Sequence, residues 1–447
     1  MNQSIKIFIS VLAGSIVFLI SSAYMQVPKS ALLGIITLLV GLWSSEALPL
    51  GVVSLLPIVL FPSFDILSTK QTALNYGHPI IFLFIGGFLL AIAVEKTKLH
   101  IYIAQKILSI FPNTPRGMIF SLSITSALLS SILSNTTTTL LLMSLAIFLT
   151  EHEKLKMRFA LSIAYGASIG GILTPIGTPP NLVLLGVMDD KGLEYIPFFK
   201  WVMIVSPLVF MMLIAVGFLL SIGTKEIKIN NEPFKDKLHA NQKKVLYLLG
   251  GVMILLLVNA PIRPYWDGLG LSEAGILLSS GLLLFAPPLN ILKWDDDNSK
   301  IPYGIVFLFG AGFSIAKAFS ATALADDLAN ILLSMTDFSP MILLLGVATL
   351  ITFSTEITSN TALISIMLPV IYSVTVKAGL DSTLFMMVAT VCASYAFMLP
   401  IATPPNAIAM SSKVVKIKDM MRYGIILNIL GIICIVLAAN YIWRNAI

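Results

Sequence analysis

A chain of 447 residues that is 57% hydrophobic and only 11% charged carries far more apolar surface than a soluble core can hide. That excludes an ordinary globular enzyme and identifies an all-α polytopic membrane protein, in which function must lie inside the membrane. The formal charge of +6 does not point to nucleic acid, because the lysines and arginines fall in short loops between apolar runs, where membrane orientation accounts for them.

Residues 1–30 hold a first span, over about 5–25, with Lys6 near its start. Its end at Ser21-Ser22-Ala23 resembles a signal peptide, but the run is long for one and another span follows almost at once, so an uncleaved span is expected. Spans two and three follow at about 31–48 and 50–64, separated by the break Pro49-Leu50-Gly51. Span four starts near Pro79 and reads IIFLFIGGFLLAIA. Between Arg116 and Glu151 lie 34 uncharged residues, whereas a straight span needs only about 20. The chain must turn around there, and the polar cluster Ser134-Asn135-Thr136 marks the place. A re-entrant hairpin over 117–150 with its tip at this cluster is expected. A broken helix over 159–187 follows, interrupted at Gly177-Thr178-Pro179-Pro180-Asn181.

The same wording then recurs. Phe82-Leu83-Phe84 with Gly87-Phe88, Asn135 and Asn181 return as Phe307-Leu308-Phe309 with Gly312-Phe313, Asn360 and Asn406, all at one offset of 225 positions. One register over three motifs means an internal duplication, with a first repeat at 31–222, a linker at 223–244 and a second repeat at 245–447. The second repeat holds a hairpin over 340–377 with its tip at Ser359-Asn360-Thr361, and a helix over 384–412 broken at Ala402-Thr403-Pro404-Pro405-Asn406. With the N-terminus cytoplasmic and the C-terminus outside, roughly 20 of the 28 basic residues fall inside. The linker, from Lys225 to Lys244, is then cytoplasmic. The repeats are then inverted, the architecture of secondary transporters whose site lies at the repeat interface near the midplane.

Helix ends supply the chemistry. Ser, Asn and Thr are favoured N-caps, so the half-helix after each tip points free N–H groups and a partial positive charge at whatever lies beyond it, which suits an anion. The half-helix before each tip ends in unpaired carbonyls, which with the Ser and Asn oxygens suit a small hard cation such as Na⁺. The paired prolines remove two N–H donors and free the carbonyls of Gly177 and Ala402, with the Thr178 and Thr403 hydroxyls facing the ligand. Thr138 and Thr139 continue the helix and are expected to pack.

Other candidates are few. Glu356, whose repeat equivalent is Ser131, suits either a proton or cation role or a structural hydrogen bond to the hairpin. Glu46 and His78 fall at span ends, where solvation is the default. Cys392 and Cys434 have no paired spacing and read as packing residues. His78, His100, His152 and His239 lie toward span ends or loops and offer no base or metal-ligand set for a hydrolase, so no enzyme activity and no catalytic residue is expected.

Paired SNT signatures, each followed by a (G/A)-(S/T)-P-P-N break and preceded by an F-L-F-x-G-G-F-type span, resemble the divalent anion/sodium symporter family, the INDY-like dicarboxylate transporters. The resemblance covers nearly the whole chain. It implies an inverted-repeat elevator-type transporter with about 11 transmembrane helices and two re-entrant hairpins, a homodimer in the lipid bilayer of the bacterial inner membrane. It implies sodium-coupled symport of C4 to C6 dicarboxylates such as succinate, malate, fumarate or citrate; a sodium-independent exchanger, or a carrier of an inorganic divalent anion such as sulfate, is the alternative. By position it puts substrate on Ser134, Asn135, Thr136, Thr178, Ser359, Asn360, Thr361, Thr403 and Pro404. One sodium would lie near Ser130, Ser134, Asn135 and Gly177, the other near Thr355, Thr358, Asn360 and Ala402.

Overall fold

The computed structural model describes residues 2–146, 149–224, 237–261, 265–334 and 339–446, and its architecture is helical throughout. Before the first repeat runs α1 (Gln3–Ser22). The first repeat then holds α2 (Val27–Ser45), α3 (Leu50–Ser63), α4 (Thr69–Asn75), α5 (Pro79–Lys96), α6 (Leu99–Leu108), α7 (Pro115–Ser130), α8 (Asn135–Ala146), α9 (Glu153–Gly171), α10 (Pro179–Asp190) and α11 (Phe198–Ser221). The second holds α12 (Ala240–Asn259), α13 (Glu273–Leu283), α14 (Trp294–Asp297), α15 (Tyr303–Ala321), α16 (Leu324–Ser334), α17 (Pro340–Ser354), α18 (Asn360–Lys377), α19 (Ser382–Ala393), α20 (Pro404–Ser411) and α21 (Ile417–Ala438).

Local chemistry sets these boundaries. Proline stands in the first turn of α5, α7, α10, α17 and α20, where its missing N–H costs nothing. Thr114 caps α7 through Gly117 N–H, and Asp381 caps α19 through Leu384 N–H. Eight helices among the described residues are long and apolar enough to cross a bilayer. One of them is α18, which by sequence is a hairpin arm. The shorter apolar helices among the described residues are α3, α13, α17 and α19.

The start of the second repeat differs from expectation. Helix α12 begins at Ala240, inside the stretch read as a linker, because Gln242 accepts from the His239 N–H and opens the helix there. Lys243 and Lys244 are then carried on its first turn, with Lys244 reaching the Pro288 carbonyl. The rest of that linker, 225–236, lies outside the described residues.

Helix packing follows the 225-position correspondence between the two halves of the sequence. Helix α3 packs on α15, and its repeat equivalent α13 packs on α5. Likewise α10 packs on α18 while α20 packs on α8, so each broken helix leans on the other repeat's hairpin. Both arms α7 and α8 pack on α9, and both arms α17 and α18 pack on α19. Small residues permit the closest approach: a Cβ at Gly170 of α9 would meet the Ala127 backbone of α7 at 2.2 Å, and one at Gly166 the Ser123 carbonyl at 2.5 Å.

Candidate functional site

Helix α7 stops at Ser130 and α8 starts at Asn135, with the tip between them. Ser134 Oγ accepts from the Thr137 N–H at 3.1 Å, the capping bond its residue type favours. Ser130 Oγ lies 2.5 Å from Asn135 Oδ1. In the second repeat Thr355 Oγ1 lies 2.5 Å from Asn360 Oδ1 and 2.8 Å from the Ala393 carbonyl. A threonine hydroxyl has one proton to give, so three oxygens converge there around a single donor. Thr138 and Thr139 are fully buried in α8, as expected of packing residues.

The asparagines of the two proline motifs close the broken helices. Asn181 Nδ2 donates to the carbonyls of Gly171 and Thr174, and Asn406 Nδ2 donates to the equivalent carbonyls of Ala396 and Leu399. Each side chain thus supplies a donor to a carbonyl left without a backbone partner at the break, Gly171 or Ala396, and a second donor to one that closes a turn, Thr174 or Leu399. Gly171 and Gly177 let the first break close on the first tip. A Cβ at 171 would sit 2.8 Å from Asn135 Oδ1, and one at 177 would meet the Gly171 and Ser130 carbonyls at 2.5 and 3.2 Å.

Both tips and both breaks open on one cavity of about 690 Å³. Ser134, Asn135, Thr136, Thr178, Ser359, Asn360, Thr361, Thr403 and Pro404 all line it, together with Gly177, Thr358 and Ala402. Ser130 and Thr355 stand behind the lining, fully buried, and reach it through their asparagines. Among the described residues, the backbone N–H groups of Asn135, Thr136, Asn360 and Thr361 have no acceptor. The cavity therefore presents free donors at two helix N-termini beside clustered uncharged oxygens, the first complementary to an anion and the second to a small cation.

Some of the wall was not read from sequence. The turn between α2 and α3, from Trp43 to Leu50, lines the cavity, as do Gln3, Phe84 and Phe88. Glu46, at a span end, is exposed as expected and also lines this cavity. The Pro49-Leu50-Gly51 break was the available signal, since it interrupts the membrane run as the proline motifs do. His78, by contrast, is not solvated: it is buried, its Nδ1 accepts from the Ile80 N–H at the start of α5, and its Nε2 lies 3.4 Å from Asp189.

Glu356 has four donors. Its carboxylate accepts from the N–H groups of Phe397, Met398 and Leu399 and from Asn428 Nδ2. This ties the second tip to the break in its own repeat. At the equivalent place in the first repeat the tie runs between Thr174 Oγ1 and the Ser131 carbonyl. Of the two roles open to it by sequence, the structural hydrogen bond is the one these donors fill.

Comparison with known proteins agrees with this geometry. The sequence model of a family described as Citrate transporter matches residues 40–387. The sodium-dependent dicarboxylate transporter SdcS of Staphylococcus saprophyticus is 29% identical over 99% of this chain and 92% of its own. That of Staphylococcus aureus strain USA300 is 30% identical over 97% of this chain and 91% of its own. Among solved structures, the YdaH transporter of Alcanivorax borkumensis superposes with a TM-score of 0.61 at 14% identity, over 84% of this chain and 87% of its own. Neisseria gonorrhoeae MtrF gives 0.60 at 12%, over 94% and 96%. At those identities the two structures share the fold alone.

Proposed function

Because the chain belongs to the divalent anion/sodium symporter family, we propose that it is a secondary active transporter that carries C4 to C6 dicarboxylates across the membrane with sodium. The observation that carries this reading is the convergence of both tips and both breaks on one cavity, whose volume suits a small organic anion. Sodium ions near Ser130–Asn135 and Thr355–Asn360 order the tips. The dianion then binds between them on the free N–H groups and the hydroxyls of Thr178 and Thr403. The cations neutralise it, which matters because an uncompensated ion in a low-dielectric site costs on the order of tens of kcal/mol by the idealised Born estimate.

Movement follows an elevator scheme in this reading. Apart from α4, α6 and α16, the helices sort into two groups that pack mainly within themselves, α1–α3 with α5 and α12–α15 on one side, and α7–α11 with α17–α21 on the other. The second group holds every predicted ligand residue and travels as a unit against the first. A homodimer joined through the first group, with the N-terminus cytoplasmic, completes the proposal.

The deciding experiment is uptake of labelled succinate into liposomes after a sodium jump. Accumulation driven by inward sodium supports symport. Uptake indifferent to sodium but dependent on internal dicarboxylate would replace symport by exchange, and competition by sulfate alone would move the substrate to inorganic anions.

A further inference from the structure

The cavity has one ionisable side chain among its described lining residues, Glu46, and it stands on the wall facing the tips' helices from the α2–α3 turn. Glu46 is exposed, and its carboxylate has neither a hydrogen bond nor an ion pair among the described residues, so it is free to meet what enters the cavity it lines. Lys6, whose ammonium donates to the Ser45 carbonyl at 2.7 Å, forms no ion pair with it.

The backbone adds a second observation. Glu46 has φ 50° and ψ 36°, a left-handed conformation usually left to glycine or asparagine. The turn is pinned on both sides of it, by Lys6 on Ser45 and by Gln3 Nε2 on the Ala47 carbonyl at 3.0 Å. An acidic side chain is thus held at a strained position in a pocket whose other polar groups favour anions.

Resting on the transport reading above, we propose that Glu46 sets specificity by admitting doubly charged carboxylates and repelling triply charged ones. Two carboxylates of a dianion occupy the two tips. A third has no further donor pair to meet and faces the Glu46 carboxylate across the cavity, where like charges repel. The wall discriminates by penalising the wrong charge and adds nothing to the grip on the right one.

The test uses the full-length protein in liposomes, with labelled succinate taken up against unlabelled citrate in mildly alkaline buffer, where citrate is a trianion. Wild type should be inhibited by citrate poorly relative to unlabelled succinate. Glu46→Gln and Glu46→Asn should raise the citrate-to-succinate potency ratio by about tenfold, equivalent to about 1.4 kcal/mol of relieved repulsion, with the succinate KM kept within about twofold. Glu46→Asp, which keeps the charge, should keep wild-type selectivity. Asparagine tolerates the left-handed backbone, so it reports even where glutamine disturbs the turn. An unchanged ratio in neutral variants that still carry succinate overturns the assignment, as does a raised sodium requirement with the anion ratio unmoved. Thermal stabilisation by citrate and succinate gives the same ratio from binding alone. A wild type that is stabilised by these anions yet accumulates neither would sink the transport reading and leave the selectivity result standing.

Discussion

Thr355 and Asn360 face each other across the second tip, hydroxyl to amide oxygen at 2.5 Å, one residue at the end of one helix and the other at the start of the next. Oxygen pairs at this separation, repeated in Ser130 and Asn135, are what a small cation entering between the arms would find already gathered.

Asn135→Ala and Asn360→Ala should each abolish sodium-driven succinate uptake, because each removes the amide oxygen of one pair and a wall group of the cavity. Uptake by reconstituted liposomes measures it. Wild-type rates in both variants would remove the tips from the site.

Gly171→Ala should weaken sodium activation by about tenfold while the protein still folds. The added Cβ would lie 2.8 Å from Asn135 Oδ1 and 3.2 Å from its Nδ2, so that side chain must turn away. A tenfold change corresponds to about 1.4 kcal/mol, within reach of one displaced ligand. The sodium concentration giving half-maximal uptake is the readout, and an unaltered value would mean that Asn135 does not serve the cation.

Glu356→Ala should destabilise the protein by about 3–5 kcal/mol, since it strands the buried Phe397 N–H and Asn428 amide and the half-buried N–H groups of Met398 and Leu399. Glu356→Gln keeps one acceptor oxygen and should recover part of the loss. Thermal unfolding in detergent compares the three proteins. Glu356→Ala with wild-type stability but lost sodium dependence would restore the cation role.

Asp297 makes a pH-dependent contribution outside the membrane. Burial alone would raise its carboxyl, but hydrogen bonds from Lys300, Lys96 and the Lys293 N–H outweigh it and bring the pKa from 3.8 down to about 2. Because the folded value is the lower one, the stabilisation is complete above about pH 4 and disappears as pH falls toward 2. Asp297→Asn should cost about 2 kcal/mol at neutral pH, and the gap from wild type should close below pH 2. A gap that stays constant with pH would assign the effect to packing.

The two tips were legible because polar residues in the middle of an apolar run have few structural uses, and the 34 uncharged residues between Arg116 and Glu151 forced a turn. The proline motifs were legible through their lost N–H groups. What Asn181 and Asn406 do was not, since only folded coordinates show which carbonyls they reach. The start of α12 was missed because charge at Lys243 and Lys244 resembles a loop, although long basic side chains are tolerated on a helix end. The place of Glu46 on the cavity wall was missed for a geometric reason: a span end open to water alone and one that also borders a cavity have the same local sequence. His78 was missed similarly, its burial arising from Phe313, whose ring centroid lies 4.5 Å away, and from residues of α10.

The seating of α10 on α18 and of α20 on α8 bears on biosynthesis. When the ribosome has released residue 222, half of the ligand groups exist, but the helices that cover them have not been translated. The first half must wait in the bilayer, its polar tip unshielded, until residues 360–411 are inserted. Truncated chains ending between the repeats should therefore be recognised by membrane quality control, and the two halves expressed as separate polypeptides should each be short-lived alone and long-lived together.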